Sequence, residues 1–227
     1  MAPNKNASPK PSSSLTASGS LSAEELRYYL FEADTSQRLM VSPLALQWED
    51  VKQGTLDIRL GTHFILTRRN RYASVDPLDL TRREVRFWQE KVCVRFGESF
   101  TLHPGQLVLA AALEYISMPC GLAASVITRS SYGRLGLITA TAVHVHPGYK
   151  GCVTLELYNF GDTPVVLYPA LPIAQFVFIH VSPQQIPFQS KYTLPTETEF
   201  PKIWEDDCIT RLKKMRDYFD RTQKTTE

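Results

Sequence analysis

From residue 55 onwards, short apolar or alternating runs are separated by glycine and proline, and this pattern constrains the possible folds most strongly. Such runs are typical of strands, whereas βαβ units would place longer helical patterns between them. We predict strands over residues 55–60, 63–66, 91–94, 107–113, 124–127, 153–158, 163–168 and 173–181. Several runs are hydrophobic throughout, which favours an all-β domain with a closed or sandwiched core.

The two ends of the chain differ from this β-rich centre. Residues 1–20 are rich in Ser, Pro, Ala and Lys and contain a single Leu, so they are predicted to form a disordered tail. A serine cap, early carboxylates and helical apolar spacing predict a short helix over residues 23–31.

Residues 81–90 fit either a helix or a loop. Four prolines between residues 182 and 203 predict an extended arm, and residues 204–221 have the spacing of a C-terminal helix.

The charge balance and the cysteines argue against several classes of protein. A formal net charge of +2 over 227 residues gives no case for a nucleic-acid or acidic-membrane partner, so any anion site has to be local. No apolar stretch approaches the roughly 20 residues that span a bilayer, and the N-terminus lacks the apolar core of a signal peptide. A soluble cytoplasmic protein is expected. The cysteines lack CxxC spacing and are predicted to be reduced and mostly buried: Cys93, Cys120, Cys152 and Cys208.

A loop over residues 129–137 concentrates groups that bind anions. Arg129 and Arg134 flank the pair Ser130 and Ser131 in a turn that contains glycine. Guanidinium and hydroxyl groups donate several charge-assisted hydrogen bonds from a small space, so the loop predicts a site for phosphate oxygens. The alternative is that both arginines are ordinary surface charges.

Glu156 is a carboxylate inside a segment that otherwise has the sequence of a strand. Alternation along residues 153–158 places it on the polar face of that strand, opposite the three apolar residues of the segment. It is a candidate general base or acid whose pKa is tuned by partial burial near arginines. The alternative is a solvated carboxylate or an ion-pair partner.

Three histidines, His103, His144 and His146, raise the question of a transition metal. The His-x-His pair could share one strand face, but a third ligand at a recognisable spacing is missing, so packed or hydrogen-bonded histidines are favoured. Cys120 follows a proline as in the zinc deaminase pattern, yet position 123 is not a cysteine and no His-x-Glu precedes it. Zinc-hydroxide chemistry is therefore not expected.

Taken together, these segments resemble the dCTP deaminases of the dUTPase-like superfamily over roughly residues 21–205. The resemblance implies a distorted β barrel of the β-clip type over residues 21–182, with an N-terminal helix, followed by a C-terminal arm and helix over residues 183–227. It also implies a homotrimer in which each active site is shared between neighbouring subunits. The blocks that carry the resemblance are residues 54–61, 103–107, 129–137, 141–142, 147–151, 156–159 and 169–175.

The reaction that the resemblance implies is hydrolysis of the 4-amino group of dCTP to give dUTP and ammonia. It needs no zinc, and Mg²⁺ is bound through the nucleotide triphosphate. By position, Glu156 would be the general base that activates water for attack on C4 and then the acid that assists the departure of ammonia. Ser130 and Arg134 would hold that water and stabilise the tetrahedral intermediate, while the backbone at Thr141 and Ala142 would recognise the pyrimidine.

The resemblance also implies how the phosphates are bound. Arg129 and Ser131 would hold phosphate oxygens, and Lys191 and Tyr192 match the family's C-terminal lid over the triphosphate. The arm departs from the family pattern after Tyr192, because residues 193–195 read Thr-Leu-Pro where Gln and Gly are expected.

His146 is the largest departure from the family pattern. It stands where deaminases and dUTPases of this superfamily carry an aspartate against the deoxyribose 3′-hydroxyl, and in dUTPases that aspartate also orients the water that attacks the phosphate chain. Its replacement argues against pyrophosphatase activity, whereas a histidine can still form one hydrogen bond to a sugar hydroxyl. Deamination of dCTP is the leading hypothesis. The alternatives are deamination of a related cytosine nucleotide, including antiviral nucleotide depletion, a non-catalytic nucleotide-binding regulatory protein, and a structural trimeric module.

Overall fold

A curled antiparallel sheet of nine strands forms the centre of the computed structural model. Its strand order is β7-β9-β5-β2-β11-β6-β8, with β1 added to β5 and β3 added to β2, and a separate two-stranded antiparallel sheet joins β4 to β10. The prediction of an all-β fold class is confirmed. The model describes residues 19–68, 74–139, 144–182, 191–192 and 194–224.

The strands follow the burial pattern that alternation predicts. In β9, residues 153, 155 and 157 are buried while residue 156 is exposed, as period-two alternation requires. The strands are β1 (Met40–Ser42), β2 (Thr55–Thr67), β3 (Gln89–Cys93), β4 (Phe100–Leu102), β5 (Leu107–Ser117), β6 (Leu122–Thr128), β7 (Leu137–Thr139), β8 (His144–Val145), β9 (Lys150–Asn159), β10 (Val165–Leu167) and β11 (Pro172–His180).

Two of the predicted strands are one in the structure. Residues 55–60 and 63–66 are joined in β2, and the register against β5 shifts between Leu60 and Phe64. Gly61 lies at this irregularity, where a Cβ would approach the carbonyl oxygen of Ala111 to 2.8 Å. The sequence therefore suggested a break at the point where the strand only bends.

Four α-helices accompany the sheet in the described residues. The first, α1 (Ala23–Arg27), continues into a π-helical turn over Tyr28–Glu32, and Ser22 and Glu25 form the capping box that opens it. Residues 81–90, which fitted a helix or a loop, contain the helix α2 (Arg82–Trp88). The others are α3 (Ser130–Gly133) and the C-terminal α4 (Asp207–Lys224), which confirms the predicted C-terminal helix. Of the helices in the described residues, none is long and apolar enough to cross a membrane.

The core lies between the faces of the curled sheet. Phe64, Phe176 and Phe178 are fully buried there, and Leu26 of α1 is fully buried in the same cluster. The prediction that the cysteines are mostly buried is wrong, because only Cys152 is buried and the other three are exposed. Their surrounding sequence alternates or is polar, so each falls on an outer face or in a loop rather than in the core.

An ion pair between the half-buried Arg59 and the buried Glu114 links β2 to β5. The Arg59 Nε lies 2.6 Å from the Glu114 Oε1, and the Arg59 backbone N–H donates to the Glu114 Oε2 over 2.9 Å. Burial raises the pKa of Glu114, and the Arg59 contacts act in the opposite direction. The Glu114 carboxylate thus accepts the Arg59 backbone N–H next to the point where the register of β2 and β5 is interrupted.

The predicted tail falls almost entirely outside the described residues. Of residues 1–20, the structure describes only Gly19 and Ser20, which pair with the end of β11: Ser20 bridges Ile179, and the His180 N–H donates to the Gly19 carbonyl over 3.1 Å. In the predicted arm, residues 183–190 and 193 lie outside the described residues.

Candidate active site

The loop that carries the two arginines and two serines connects β6 to β7. Its base is fixed because the Thr128 Oγ1 lies 2.7 Å from the Thr139 Oγ1 and accepts the Thr139 N–H over the same distance. Gly136 adopts a φ of 85° at the exit, where a Cβ would lie 2.5 Å from the Gly161 nitrogen. A positive φ and this close approach explain why glycine occupies the position.

Within the loop, Arg129 is held by the neighbouring strands. Its Nη1 lies 3.2 Å from the Asp57 Oδ2, and the Asp57 Oδ1 accepts from the Gln175 Nε2 over 2.8 Å. The Arg129 backbone N–H donates to the Ile173 carbonyl over 3.0 Å. The Arg129 guanidinium is therefore oriented and remains partly exposed. The other loop residues are exposed, with Ser130 and Ser131 on the one-turn helix α3 and Arg134 at its C-terminal end.

Asp57 and Gln175 are the residues of this site that the sequence reasoning missed. Both lie in blocks that carried the family resemblance, but neither block assigned them a role. The contacts of Asp57 with Arg129 and with Gln175 depend on β11 pairing with both β2 and β6, which brings positions 118 residues apart within hydrogen-bonding distance. A polar residue in the middle of the mostly apolar β11 was the signal that could have marked Gln175.

Glu156 lies on the exposed face of β9, opposite Leu109 of β5 in register. Among the described residues it makes no hydrogen bond or ion pair, and its carboxylate is accessible in the single chain. Partial burial by the surrounding protein nevertheless raises the pKa of Glu156 above its ordinary value. A carboxylate with these properties can exchange a proton with a bound ligand near neutral pH more readily than an ordinary surface glutamate.

β7 connects the arginine loop to the Glu156 strand. Leu137 is opposite Asn159, and Thr139 is opposite Leu157. Asn159 is fully buried, and its Nδ2 donates to the carbonyls of Leu102 and Thr163, which fixes this end of β9. Glu156 lies three residues from that end, or roughly 10 Å at the rise of a strand.

Two histidines form a pair after β6. The rings of His144 and His146 meet edge to face, with centroids 4.7 Å apart. Burial lowers the pKa of His146, and the adjacent His144 lowers it further. Both effects favour the neutral imidazole of His146, which has one donor and one acceptor nitrogen.

Lys191 and Tyr192 lie together in the arm. The Lys191 Nζ is 2.5 Å from the Asp206 Oδ1 and 5.4 Å from the centre of the Tyr192 ring. The Tyr192 hydroxyl accepts from the Lys202 backbone N–H over 3.0 Å. Both predicted lid residues are thus engaged with the segment that follows them in the same chain.

The predicted site residues fall into separate groups in one chain. Arg129, Ser130, Ser131 and Arg134 share a loop, while Glu156 makes no ion pair with either arginine in the described part of the chain. The His146 position is on the β6–β8 side of the sheet, and Lys191 with Tyr192 forms a further group. The predicted pyrimidine-binding positions, Thr141 and Ala142, lie outside the described residues.

The described residues do not contain a group of three His, Cys, Asp or Glu side chains that could hold a metal ion. The histidine pair at positions 144 and 146 lacks a further ligand within this described set. Metal ligation by the pair therefore gains no support from the geometry.

Comparisons with known proteins identify relatives over most of the chain. A family model described as dCTP deaminase-like matches residues 21–181. A protein of Methanobrevibacter smithii named dCTP deaminase, dUMP-forming, is 33% identical over 190 residues, which cover 81% of this chain and 94% of that protein. A protein of Natronomonas pharaonis named dCTP deaminase is 37% identical over 188 residues, covering 78% of this chain and 95% of the relative.

A solved structure shows the same fold. The 2′-deoxycytidine 5′-triphosphate deaminase of Agrobacterium tumefaciens superposes with a TM-score of 0.52 at 24% sequence identity. The match covers 73% of this chain and 49% of the solved chain, so the described fold corresponds to about half of that molecule. At this identity the likeness concerns the fold, and it agrees with the distorted barrel that the sequence resemblance implied.

Proposed function

The chain belongs to the dCTP deaminase-like family, and from this membership we propose that it is a hydrolytic enzyme that converts dCTP to dUTP and ammonia in the cytoplasm. The observation that carries the proposal is Glu156. Its carboxylate is exposed on a largely buried strand, partial burial raises its pKa, and β7 connects that strand to a loop of two arginines and two serines.

Glu156 supplies both proton transfers of the proposed reaction. Its carboxylate removes a proton from water as the oxygen attacks C4 of the cytosine ring. The same proton then passes to the 4-amino group, the C4–N bond breaks and ammonia leaves, while the second proton of the attacking water moves from the C4 hydroxyl to ring N3, which gives uracil with its C4 carbonyl. A raised pKa favours the second step, because the protonated carboxyl has to persist long enough to donate.

Ser130 and Arg134 stabilise the charge that develops during attack. The hydroxyl and the guanidinium are exposed on α3 and its C-terminal end, where both can donate to the water and to the tetrahedral intermediate. In one chain this loop lies beyond the Asn159 end of β9, and no described ion pair joins it to Glu156. We therefore propose the homotrimer that the family resemblance implies, in which one subunit gives Glu156 and its neighbour gives the loop.

The remaining groups bind the nucleotide, which we write as the Mg²⁺ complex of dCTP because the triphosphate carries the ion. Arg129 and Ser131 bind phosphate oxygens, with the guanidinium oriented by Asp57. Lys191 and Tyr192 bind the outer phosphates, and the backbone at positions 141–142 reads the pyrimidine. Neither zinc nor another resident metal is part of this mechanism.

His146 is proposed to hydrogen-bond the deoxyribose 3′-hydroxyl. We expect His146→Ala to raise KM for dCTP about five-fold with little change in kcat, because the substitution removes one hydrogen bond to the substrate. The substitution should not affect KM for 2′,3′-dideoxy-CTP, which lacks that hydroxyl, and His103→Ala serves as the matched control. Steady-state kinetics with both nucleotides checks this, and an equal loss with both would assign His146 a structural role.

A second product is possible in this family. Several relatives are named dUMP-forming, including the protein of Methanobrevibacter smithii, so release of pyrophosphate is the alternative to dUTP. We favour dUTP because His146 occupies the position at which the resemblance placed the aspartate that orients the phosphate-attacking water.

One assay tests the proposed function and separates these outcomes. The purified chain is incubated with Mg²⁺ and each of dCTP, CTP, dCMP and dUTP, and ammonia, pyrophosphate and the product nucleotide are quantified. Ammonia with stoichiometric dUTP from dCTP supports the proposal. Ammonia with dUMP and pyrophosphate establishes the alternative, and tight binding without any product establishes a regulatory protein.

A further inference from the structure

Five side chains in the C-terminal arm form a charged cluster, which we call the arm clamp: Lys191, Tyr192, Glu199, Lys202 and Asp206. The Lys191 Nζ contacts Asp206 at 2.5 Å, and the Lys202 Nζ contacts Glu199 at 2.7 Å. The two ammonium groups lie 5.4 and 5.3 Å from the centre of the Tyr192 ring. Lys202 also donates through its Nζ to the Lys191 carbonyl over 2.9 Å. Each cation is thus balanced by a carboxylate of its own chain.

The segment between the two halves of the clamp is fastened to the sheet. The Cys152 N–H donates to the Pro195 carbonyl over 2.6 Å, and the Thr198 Oγ1 donates to the His63 carbonyl over 2.9 Å. Gly151, with a φ of 146°, lies where a Cβ would come within 2.4 Å of the Pro195 ring. These contacts start where the sequence departs from the family pattern after Tyr192, so the departure corresponds to an arm that is docked on its own subunit.

Asp206 belongs to a part of the chain beyond the family match, which ends at residue 181. It directly precedes α4, and its carbonyl accepts the Thr210 N–H over 3.1 Å. The helix is fixed in turn, because Ile209 is buried and Arg216 contacts Asp79 with both terminal nitrogens, at 2.7 and 3.3 Å. Asp206 therefore holds its place independently of Lys191.

We propose that Asp206 is a positioning residue that competes with the nucleotide triphosphate for the Lys191 ammonium. The inference rests on the proposed function, in which Lys191 binds the outer phosphates. The ion pair is partly exposed, with 29% and 35% of the two side chains accessible. Exposed pairs of this kind are weak, so a triphosphate with several negative charges can take over the ammonium. Asp206 thereby lowers the affinity for triphosphates and leaves monophosphates, which do not reach Lys191, unaffected.

Kinetics of an Asp206→Asn variant test this competition. We expect KM for dCTP to fall about three-fold with kcat unchanged, because a partly exposed ion pair contributes only a small free energy that the triphosphate no longer has to overcome. Inhibition by dCMP should keep its constant. Asp207→Asn, which alters the exposed neighbouring carboxylate, is the matched control and should behave like the unmodified chain. In a Lys191→Met background the Asp206→Asn substitution should have no further effect. An unchanged or higher KM, or an effect that persists without Lys191, would overturn the proposal.

The reactivity of Lys191 tests the contact without any nucleotide. Acetylation rates of individual lysines, followed by mass spectrometry, should show Lys191 reacting faster in Asp206→Asn than in Asp207→Asn, because the ion pair protects the amine. Mg²⁺–dCTP should protect Lys191 in both variants. An equal Lys191 rate in the two variants overturns the clamp even if the chain deaminates dCTP. Absence of turnover and of nucleotide protection, with the rate difference intact, refutes the proposed function and the competition while leaving the contact established.

Discussion

Replacing Glu156 by glutamine is expected to abolish ammonia release from dCTP while the chain still binds the nucleotide. The amide keeps the size of the carboxylate but cannot take a proton from water or return it to the leaving amine. General acid and base catalysis contributes about 10²- to 10⁴-fold, and because one group performs both transfers we expect kcat to fall towards the upper end of that range. Ammonia release measures kcat, and titration calorimetry with Mg²⁺–dCTP measures binding.

A suitable control is Glu24→Gln, which removes an exposed carboxylate from α1, far along the chain from the site. It should leave both kcat and binding unchanged. If Glu156→Gln keeps activity within ten-fold of the unmodified chain, Glu156 is not the proton-transfer group and the mechanism fails. If it loses binding together with activity, the side chain has a structural or binding role instead.

The largest loss of stability is expected from Glu114→Ala. The substitution leaves the Arg59 guanidinium in a partly buried position without its carboxylate and removes the acceptor of the Arg59 backbone N–H. Breaking a buried pair by removing one partner typically costs about 3 to 5 kcal/mol of folding free energy. Since 23% of the Arg59 side chain is accessible, water can solvate part of it and we expect a loss near the lower limit, about 3 kcal/mol. Denaturant unfolding measures it.

The matched control for this prediction is an exposed ion pair on the same sheet. Arg68 Nε lies 2.7 Å from Glu90 Oε2, and both side chains are largely accessible. Glu90→Ala should cost less than about 1 kcal/mol. Replacing both Arg59 and Glu114 by methionine should cost less than Glu114→Ala alone, because no charge is left without a partner. Equal losses for Glu114→Ala and Glu90→Ala would show that the buried pair does not stabilise the fold.

Local patterns were sufficient for much of the fold. The alternation of β9 placed Glu156 on an exposed face, and a serine cap with early carboxylates predicted the start of α1. The strands β1, β4, β7 and β8 were missed, because runs of two or three residues carry no periodicity. These short strands are defined by their pairing partners, as β7 is by β9 and β4 is by β10.

The partners of the site residues could not be read from local sequence. Arg129 meets Asp57 because two strands distant in the chain flank β11, and Lys191 meets Asp206 because the arm folds back before α4. Such contacts are set by tertiary packing, which the periodicity and spacing of residues along the chain do not predict. The family resemblance supplied the roles of the loop and of Glu156, but it contained no counterpart of Asp206, which lies outside the matched domain.

The central claim is that Glu156 of one subunit and the arginine loop of its neighbour together deaminate dCTP. Mixing two inactive variants, Glu156→Gln and Arg134→Ala, after co-expression or joint refolding, tests it most directly. Random assembly should give about a quarter of sites with both functional groups, so ammonia and dUTP should reappear at a corresponding fraction of the unmodified rate. A mixture as inactive as either variant alone, in trimers shown to contain both chains, would contradict the shared site.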